Sequence, residues 1–303
     1  MSASNSARLS AILLVLAGIG ALCVLDAFAK YLALRHGAGV ATFGRYVSGT
    51  IIGLIVWQWQ GRPWVAPGGL KPNMVRGTLI AAMALAFFWS ISKLPMALVL
   101  TLTFVGPLAV PFMAALYLKE SVQPRYIAAG AMGFVGVLVT VGGMPSLSSD
   151  ELLAAGAAVF AAILYGAAAV ILRSRAAADG ATVITLIAAV VPMLWLSPVL
   201  LTMPALPPMV DLGLMMAMGL AGNIGVQLMA RGYVHLEAQV SAVLEYSALP
   251  WAALFGWMVF DEAVAPSTVL GAAIIAGACL WASRAPKASA AAPISDLPPA
   301  PVP

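Results

Sequence analysis

Two short stretches of the sequence resemble each other: KESVQP at residues 119–124 and DEAVAP at residues 261–266. Both contain Glu-x-Val-x-Pro, and Glu120 and Glu262 lie 142 residues apart. The same offset matches further apolar pairs, namely Leu94 with Leu236, Leu102 with Leu244, Ala131 with Ala273 and Leu138 with Leu280. The pattern indicates an internal repeat, in which each copy of this junction lies near the end of one half.

The composition defines the environment in which these halves fold. Of the 303 residues, 62% are hydrophobic and 9% are charged, and the mean hydropathy is +1.01. Roughly a quarter of the residues are charged in an ordinary soluble domain, so a soluble globular protein is excluded. The apolar runs are long and unbroken, whereas barrel strands alternate apolar and polar residues. We therefore predict an all-α integral membrane protein.

Ten apolar runs follow one another along the chain. They lie at about 11–34, 41–59, 75–92, 95–118, 125–143, 151–172, 182–203, 211–231, 238–260 and 266–283. Since a spanning helix needs about 20 apolar residues, the runs predict ten transmembrane helices. Pro95 favours a tight reversal between the third and fourth runs. The first run continues past Lys30 without a clear cleavage site, so we interpret it as a retained helix and not as a signal peptide.

The repeat and the span count together predict the architecture. Each half holds five spans, and this odd number places the second half upside down relative to the first. We expect two inverted five-helix repeats at 11–143 and 150–284, a cytoplasmic N-terminus at 1–10, and a disordered cytoplasmic tail at 285–303. Inverted repeats of this kind enclose the central site of many secondary transporters.

The basic residues orient the chain in the membrane. With both termini cytoplasmic, the inner loops and tails hold eleven of the fifteen Lys and Arg: Arg8, Arg62, Lys71, Arg76, Lys119, Arg125, Arg173, Arg175, Arg231, Arg284 and Lys287. The outer loops hold only Arg35 and Lys93, together with the acidic residues Asp150, Glu151, Asp211, Asp261 and Glu262. The positive-inside rule favours this orientation, and we predict a multi-pass protein of the inner (plasma) membrane.

The chain resembles the drug/metabolite transporter superfamily, specifically its ten-span EamA-type members. The resemblance covers about residues 10–284. It rests on five short features: the Leu118-Lys119-Glu120-x-x-x-Pro124 junction, the Gly130-x-x-Gly133-x-x-Gly136 helix, the stretch 245–251, the second junction with Gly271, and the pair Lys30 and Arg45. It implies two five-helix repeats and transport of a small organic solute, in either direction, without naming the solute.

Ionisable groups within spans are the first candidate site residues, because they are costly in hydrocarbon unless they face a partner or an aqueous cavity. They are Asp26, Lys30, Arg45 and Glu245. Asp26 and Lys30 are four residues apart on one helical face and can pair. The set predicts a polar lining that binds an ionised solute or couples a proton. The alternative is a buried ion pair that fixes packing, with the two cations extending towards the membrane surface.

Glu245 is the candidate proton-coupling carboxylate, since no basic residue lies within one helical turn of it. The alternative is a structural hydrogen bond to Asn223 or Gln227. These two amides are spaced i,i+4 in the eighth span and can share a cavity or hold helices together.

Aromatic and proline residues complete the candidate site. Trp89, Tyr165 and Tyr246 are candidates to line a solute pocket, although aromatics at span ends also serve as interface anchors. Pro107, Pro111 and Pro250 interrupt the fourth and ninth spans and are candidate hinges, with static packing as the alternative.

Other function classes fit the sequence less well. The chain lacks a P-loop, so an ion or solute gradient, or exchange, must drive transport. A membrane enzyme is disfavoured because no catalytic motif is present and His36 and His235 lie at opposite faces. Cys23 and Cys279 have no metal-site spacing, and we expect neither metal nor cofactor. The scattered basic residues argue against nucleic acid. The expected partners are the lipid bilayer, a small solute and protons, with a lipid flippase or a channel as the alternative function.

Overall fold

The computed structural model describes the chain at residues 3–106, 112–113, 116, 124–142, 147–203, 205–233, 244 and 247–283. Ten α-helices with described bounds lie in this part, and we number them in chain order. They are α1 (Ala3–His36), α2 (Ala38–Trp59), α3 (Leu70–Lys93), α4 (Met96–Thr103), α5 (Pro124–Gly142), α6 (Ser149–Asp179), α7 (Ala181–Leu196), α8 (Met209–Tyr233), α9 (Ala248–Phe260) and α10 (Pro266–Ser283). The described residues contain no β-strand, so the all-α prediction is confirmed there.

Six stretches of these helices are long and apolar enough to cross a membrane, counting only the described residues. They are Leu9–His36, Ala38–Trp59, Leu70–Lys93, Ser149–Leu172, Thr182–Thr202 and Met209–Met229. Three shorter apolar helices are Ile127–Thr140, Ala248–Phe260 and Pro266–Ala278. The protein is thus an all-α membrane protein, and the count of ten spans stays a prediction.

Glycine and proline define the reversals between neighbouring helices. Gly37 separates α1 from α2 with φ 84° and ψ 153°, and Gly180 separates α6 from α7 with φ 76° and ψ 151°. Only glycine adopts such a conformation without strain. The predicted reversal at Pro95 is confirmed, because α3 ends at Lys93 and α4 begins at Met96. A glycine with nearly the same backbone conformation therefore separates α1 from α2 and α6 from α7.

One helix begins earlier than the hydropathy indicates. The third span is predicted from residue 75, whereas α3 begins at Leu70, directly after Gly68 (φ 75°) and Gly69 end the preceding loop. Pro72 fits in the first turn, where its missing N–H is not needed. Arg76 was counted above with the cytoplasmic loops, but it lies in the second turn of α3 and within a candidate span.

The helices pack in recurring pairs. The most extensive contacts join α1 to α8, α3 to α6, α5 to α10 and α2 to α7, and α4 lies against α9. Small residues make these approaches close. A Cβ on Gly136 would lie 3.0 Å from the carbonyl oxygen of Gly271, and a Cβ on Gly225 would lie 2.9 Å from that of Gly18. The backbones at Gly136 and Gly225 therefore approach the neighbouring helix too closely for a side chain to fit without a shift.

Polar contacts join loop residues at each end of the bundle. At one end, Asp211 lies 2.7 Å from His36 Nε2 and 3.4 Å from Arg35 Nη1. Near the opposite end, Asp179 accepts hydrogen bonds from Arg175 at 2.8 and 2.9 Å, from Asn73 at 2.7 Å and from the Ala66 N–H at 3.0 Å. Residues that the topology assigns to the same side therefore lie together, as does the Lys93–Asp150 pair at 3.8 Å.

Candidate functional site

Lys30 lies at the centre of a buried polar contact that joins three parts of the chain. It is 4% exposed, and its Nζ donates to the carboxylate of Glu262 and to the Leu94 carbonyl oxygen at 2.7 Å. The other Glu262 oxygen accepts the Met96 N–H at 2.9 Å. The Phe260 ring centroid lies 5.2 Å from the same Nζ. The ion pair therefore ties α1 to the α3–α4 reversal and to the α9–α10 connection.

The local backbone explains why Glu262 reaches Lys30. Asp261 ends α9 in the left-handed conformation, with φ 54° and ψ 32°. The Glu262 N–H then donates to the Gly256 carbonyl at 3.1 Å, which folds the connection back along the helix. A Cβ on Gly256 would lie 2.8 Å from Glu262 Oε2, so the absence of a side chain there leaves room for the carboxylate.

This contact replaces the partner that spacing alone allows for Lys30. Asp26 is one turn away, yet the ion pair of Lys30 is with Glu262. The sequence interpretation assigned Glu262 to an outer loop and used it only as a marker of the repeat. The position of Glu262 in the duplicated junction could have marked it as a site residue. An acid that recurs directly after a span is a candidate partner for a cation in another span.

Arg45 on α2 interacts electrostatically with Asp26 on α1. The Arg45 guanidinium carbon lies 5.4 Å from the Tyr46 ring centroid and 5.6 Å from that of Phe88. Its charge interacts favourably with the Asp26 carboxylate. No hydrogen-bonded ion pair joins Arg45 to any described residue. Both residues are partly buried.

Arg76 is a further intramembrane cation that hydropathy alone did not identify. Its Nη1 donates to the Ile184 carbonyl oxygen of α7 at 3.4 Å. Its Nε is buried and has no partner among the described residues, and the same holds for the Tyr46 hydroxyl. Tyr46 is 5% exposed and belongs to a core cluster that includes Ile80, one turn beyond Arg76 on α3. Arg76 lies within the predicted run 75–92 but was counted with the cytoplasmic loops, and Tyr46 is an uncharged residue of the second run.

The remaining candidates are spread over several elements. Trp89 packs, partly buried, against the main core cluster. Tyr165 is 52% exposed, and its Cδ1 would lie 3.4 Å from a Cβ on Gly106. Asn223 donates to the Gly219 carbonyl at 3.0 Å within its own helix, and Gln227 is exposed. The structure therefore does not join the two amides to each other.

Several predicted residues lie outside the described part of the chain: Glu245, Tyr246, Pro107, Pro111 and, apart from Pro124, the first copy of the repeated junction. Pro250 is described, and it lies in the first turn of α9, where a missing N–H costs no helical hydrogen bond. Its predicted role as a hinge remains a prediction. Among the described His, Cys, Asp and Glu, no group of three or more is arranged to hold a metal ion.

Comparison with known proteins finds transporters similar to this chain. The model of the EamA-like transporter family matches residues 9–142, which cover α1 to α5 from Leu9 onwards. Homologous transporters match most of the chain. The family match and these homologues support the drug/metabolite transporter superfamily. The resemblance drawn from the repeated junction and the glycine-rich helix is thereby confirmed, and these matches point to a transporter and not to an enzyme.

Three named relatives cover between 81% and 92% of the chain. The pseudopaline exporter CntI of Pseudomonas aeruginosa is 24% identical over 92% of this chain and 97% of its own. The S-adenosylmethionine uptake transporter of Rickettsia bellii is 22% identical over 84% and 87%. The riboflavin transporter of Brucella anthropi is 23% identical over 81% and 87%. These names include an exporter and an uptake transporter, so they share transport but not its direction.

A solved structure shares the fold of the chain. It is described as a crystal structure of a protein, and it is 18% identical in sequence. It covers 89% of this chain and 98% of its own, with a TM-score of 0.59.

Proposed function

We propose that this EamA-like protein is a secondary active transporter that carries a small organic metabolite across the inner membrane by alternating access. The relatives named for pseudopaline, S-adenosylmethionine and riboflavin support a small metabolite as the solute. The observation that carries the mechanism is the pairing of the helices, because alternating access by inverted repeats requires two halves with equivalent contacts.

The helix contacts support an inverted repeat. To compare the halves, each of the helices α1 to α5 is matched with the helix five places later, α6 to α10. The contacts of α1 with α8 then correspond to those of α6 with α3, and the contacts of α1 with α9 to those of α6 with α4. The contacts of α2 with α8 correspond likewise to those of α7 with α3. When the two halves are exchanged, three pairs are unchanged, namely α2–α7, α4–α9 and α5–α10. Such an exchange is expected for two halves related by a two-fold axis.

Side-chain contacts support the same relation. His36 ends α1 and contacts Asp211 near the start of α8, whereas Asp179 ends α6 and contacts Asn73 near the start of α3. Each helix end precedes its positive-φ glycine, and the two contacts lie near opposite ends of the bundle. In alternating access, equivalent contacts at the two ends would be made and released in turn.

The candidate residues divide the work between solute binding and coupling. We assign solute contacts to Asp26, Arg45, Trp89, Tyr165, Asn223, Gln227 and Tyr246, and proton coupling to Glu245. Lys30 holds the bundle together at the end where α1 meets the α9–α10 connection, because its charge is already paired with Glu262. Pro107, Pro111 and Pro250 are the proposed hinges.

Reconstituted vesicles test this proposal. The full chain is placed in liposomes with an imposed pH gradient, and uptake of radiolabelled S-adenosylmethionine, riboflavin and amino acids is measured. We expect gradient-dependent accumulation of at least one solute. Glu245→Gln should abolish accumulation but retain solute exchange without a gradient, because a permanently neutral side chain cannot carry the proton.

The control and the contrary outcomes are specific. Asp150→Asn removes a surface carboxylate and should transport like the wild type, because Asp150 is exposed and its distance to Lys93 is 3.8 Å. Uptake no faster than in protein-free liposomes across the panel would overturn the transport proposal. If Glu245→Gln lowers the melting temperature in proportion to the lost uptake, Glu245 is structural and not the coupling group.

A further inference from the structure

We propose that Arg76 and Tyr46, together with Arg45, form a binding site for an oxyanion, a carboxylate or phosphate group, between α2, α3 and α7. The inference rests on the transport function proposed above, since the oxyanion would belong to the transported molecule. It names the chemical class of one part of the solute and two residues, Tyr46 and Arg76, that sequence patterns did not select.

Arg76 has hydrogen-bonding capacity that the described protein groups do not use. A guanidinium carries five N–H donors. The one acceptor that the structure gives it is the Ile184 carbonyl at 3.4 Å, near the limit of a hydrogen bond. Its Nε is shielded from solvent and has no partner in the described part of the chain. Arg76 therefore lies in the bundle with most of its donors unfilled.

Tyr46 supplies a second unfilled donor in the same region. Its side chain is 5% exposed, and its hydroxyl is buried with no hydrogen-bond partner among the described residues. Buried hydroxyls are nearly always bonded, so an unpartnered one indicates a missing partner. The hydroxyl interacts electrostatically with the guanidinium groups of both Arg45 and Arg76. An acceptor beside this hydroxyl would therefore meet two positive charges.

The charges around the site favour an anion over a neutral acceptor. Asp26 is the acid on which Arg45 acts, and Asp179 is bonded to Arg175 and Asn73. The groups that act on Arg76 are the hydroxyls of Tyr46 and Tyr165, and neither carries a negative charge at neutral pH. Among the described residues, one carboxylate acts on Arg45 and none of the groups acting on Arg76 is a carboxylate. An unbalanced guanidinium is costly at membrane depth, and an anionic ligand would remove that cost.

The alternative is that Arg76 extends to the membrane surface and serves only as a topology signal. The position of its Nε argues against this interpretation, because a guanidinium at the surface would be exposed. Lys71, one turn earlier on the same helix, is exposed and shows what a surface cation looks like there. Lys71 therefore provides the matched control for Arg76.

Equilibrium binding to the purified full-length protein in detergent tests the site. The probes are succinate, inorganic phosphate and the neutral analogue succinamide, and the readout is the dependence of the melting temperature on ligand concentration. We expect stabilisation by at least one anion and none by succinamide. Arg76→Gln should weaken anion binding about tenfold or more, and Tyr46→Phe by severalfold, because each removes donors to a charged group.

Two further variants separate a loss of anion binding from a loss of folding. Arg76→Lys retains the charge and should recover part of the affinity, whereas Lys71→Gln should bind anions like the wild type. Anion binding that is unchanged in both Arg76→Gln and Tyr46→Phe would overturn the proposal, and so would the absence of anion binding to the wild type. The difference between succinate and phosphate binding assigns the oxyanion to a carboxylate or a phosphate.

The failure of this inference is distinguishable from that of the proposed function. If liposomes exchange neutral solutes but no anion binds, the oxyanion site is wrong and transport stands. If anions bind with the expected dependence on Arg76 but no solute crosses the membrane, the site stands and transport is wrong.

Discussion

Lys30 and Arg76 are two cations buried in the same helix bundle, and their surroundings are opposite. The Lys30 ammonium contacts the Glu262 carboxylate and the Leu94 carbonyl. Arg76 reaches one carbonyl oxygen at 3.4 Å, and its Nε has no described partner. A buried charge with a complete set of partners stabilises one arrangement of helices, whereas a charge with an incomplete set leaves capacity for a ligand. The two therefore belong to different functions of the protein.

Removing Glu262, the partner of Lys30, tests whether the Lys30 ion pair stabilises the fold. Of the changes considered, it should have the largest effect on stability. Glu262→Leu leaves a buried ammonium unpaired and the Met96 N–H without its acceptor. We expect a loss of about 3 kcal/mol in the free energy of unfolding, measured in detergent as a lower melting temperature. The double variant Lys30→Met/Glu262→Leu should recover most of it, because no charge is then left unpaired.

Arg76→Gln is the matched control for that experiment. It removes a cation that has no carboxylate partner, so we expect no loss of stability. If Glu262→Leu is as stable as the wild type, or if Arg76→Gln is destabilised equally, the distinction between the two cations is wrong.

The comparison also predicts which cations affect solute selection. Arg45→Gln should weaken binding of succinate or phosphate about tenfold, about 1.4 kcal/mol, and leave neutral solutes unaffected. The Lys30→Met/Glu262→Leu variant should keep the wild-type preference between charged and neutral solutes, since the charge of Lys30 is already balanced. Isothermal titration with matched neutral analogues measures both. A loss of anion preference in the double variant would place Lys30 in the solute site.

The hydrogen-bond network around Asp179 gives the smallest expected effect. Hydrogen bonds from Arg175 hold the pKa of Asp179 below its ordinary value near 3.8, with Asn73 and the Ala66 N–H acting in the same direction and burial opposing them. Because the folded pKa is depressed, the stabilisation is fully present above the ordinary pKa and is lost as pH falls through the folded value.

Asp179→Asn measures this contribution. At pH 6 the variant should be less stable by about 1 kcal/mol, and the difference from the wild type should shrink as the pH is lowered below 4. The measurement is the melting temperature of both proteins between pH 6 and pH 3. A difference that is constant over this range would show that the charge of Asp179 does not contribute.

The sequence predicts well what depends on local composition. The apolar runs correspond to the ten described helices, and Pro95 marks a real reversal, because both follow from the hydrophobicity and backbone chemistry of adjacent residues. The start of α3 was predicted five residues late, since the helix begins where Gly68 and Gly69 end a loop and not where the apolar run begins. Arg76 lies within the predicted run 75–92 but was counted with the cytoplasmic loops, so it was not considered as a site residue.

Contacts between distant helices were less accessible. Lys30 and Glu262 are 232 residues apart, and no periodicity links them. Spacing correctly put Asp26 one turn from Lys30 and Asn223 one turn from Gln227, but a shared helical face does not decide which neighbour is bonded. Packing places Lys30 against the α9–α10 connection and lets Asn223 bond its own backbone. The site therefore depends on tertiary geometry that the pattern alone does not contain.

The separation of Lys30 and Glu262 along the chain has a consequence for biosynthesis. Helix α1 is made first, whereas Glu262 follows α9 near the end of synthesis. During most of translation, Lys30 is therefore in the membrane without its final partner. Asp26 is the carboxylate within one turn of it in that period. The local spacing places one carboxylate within reach of Lys30 in the nascent helix, whereas its partner in the finished protein arrives with the last pair of helices.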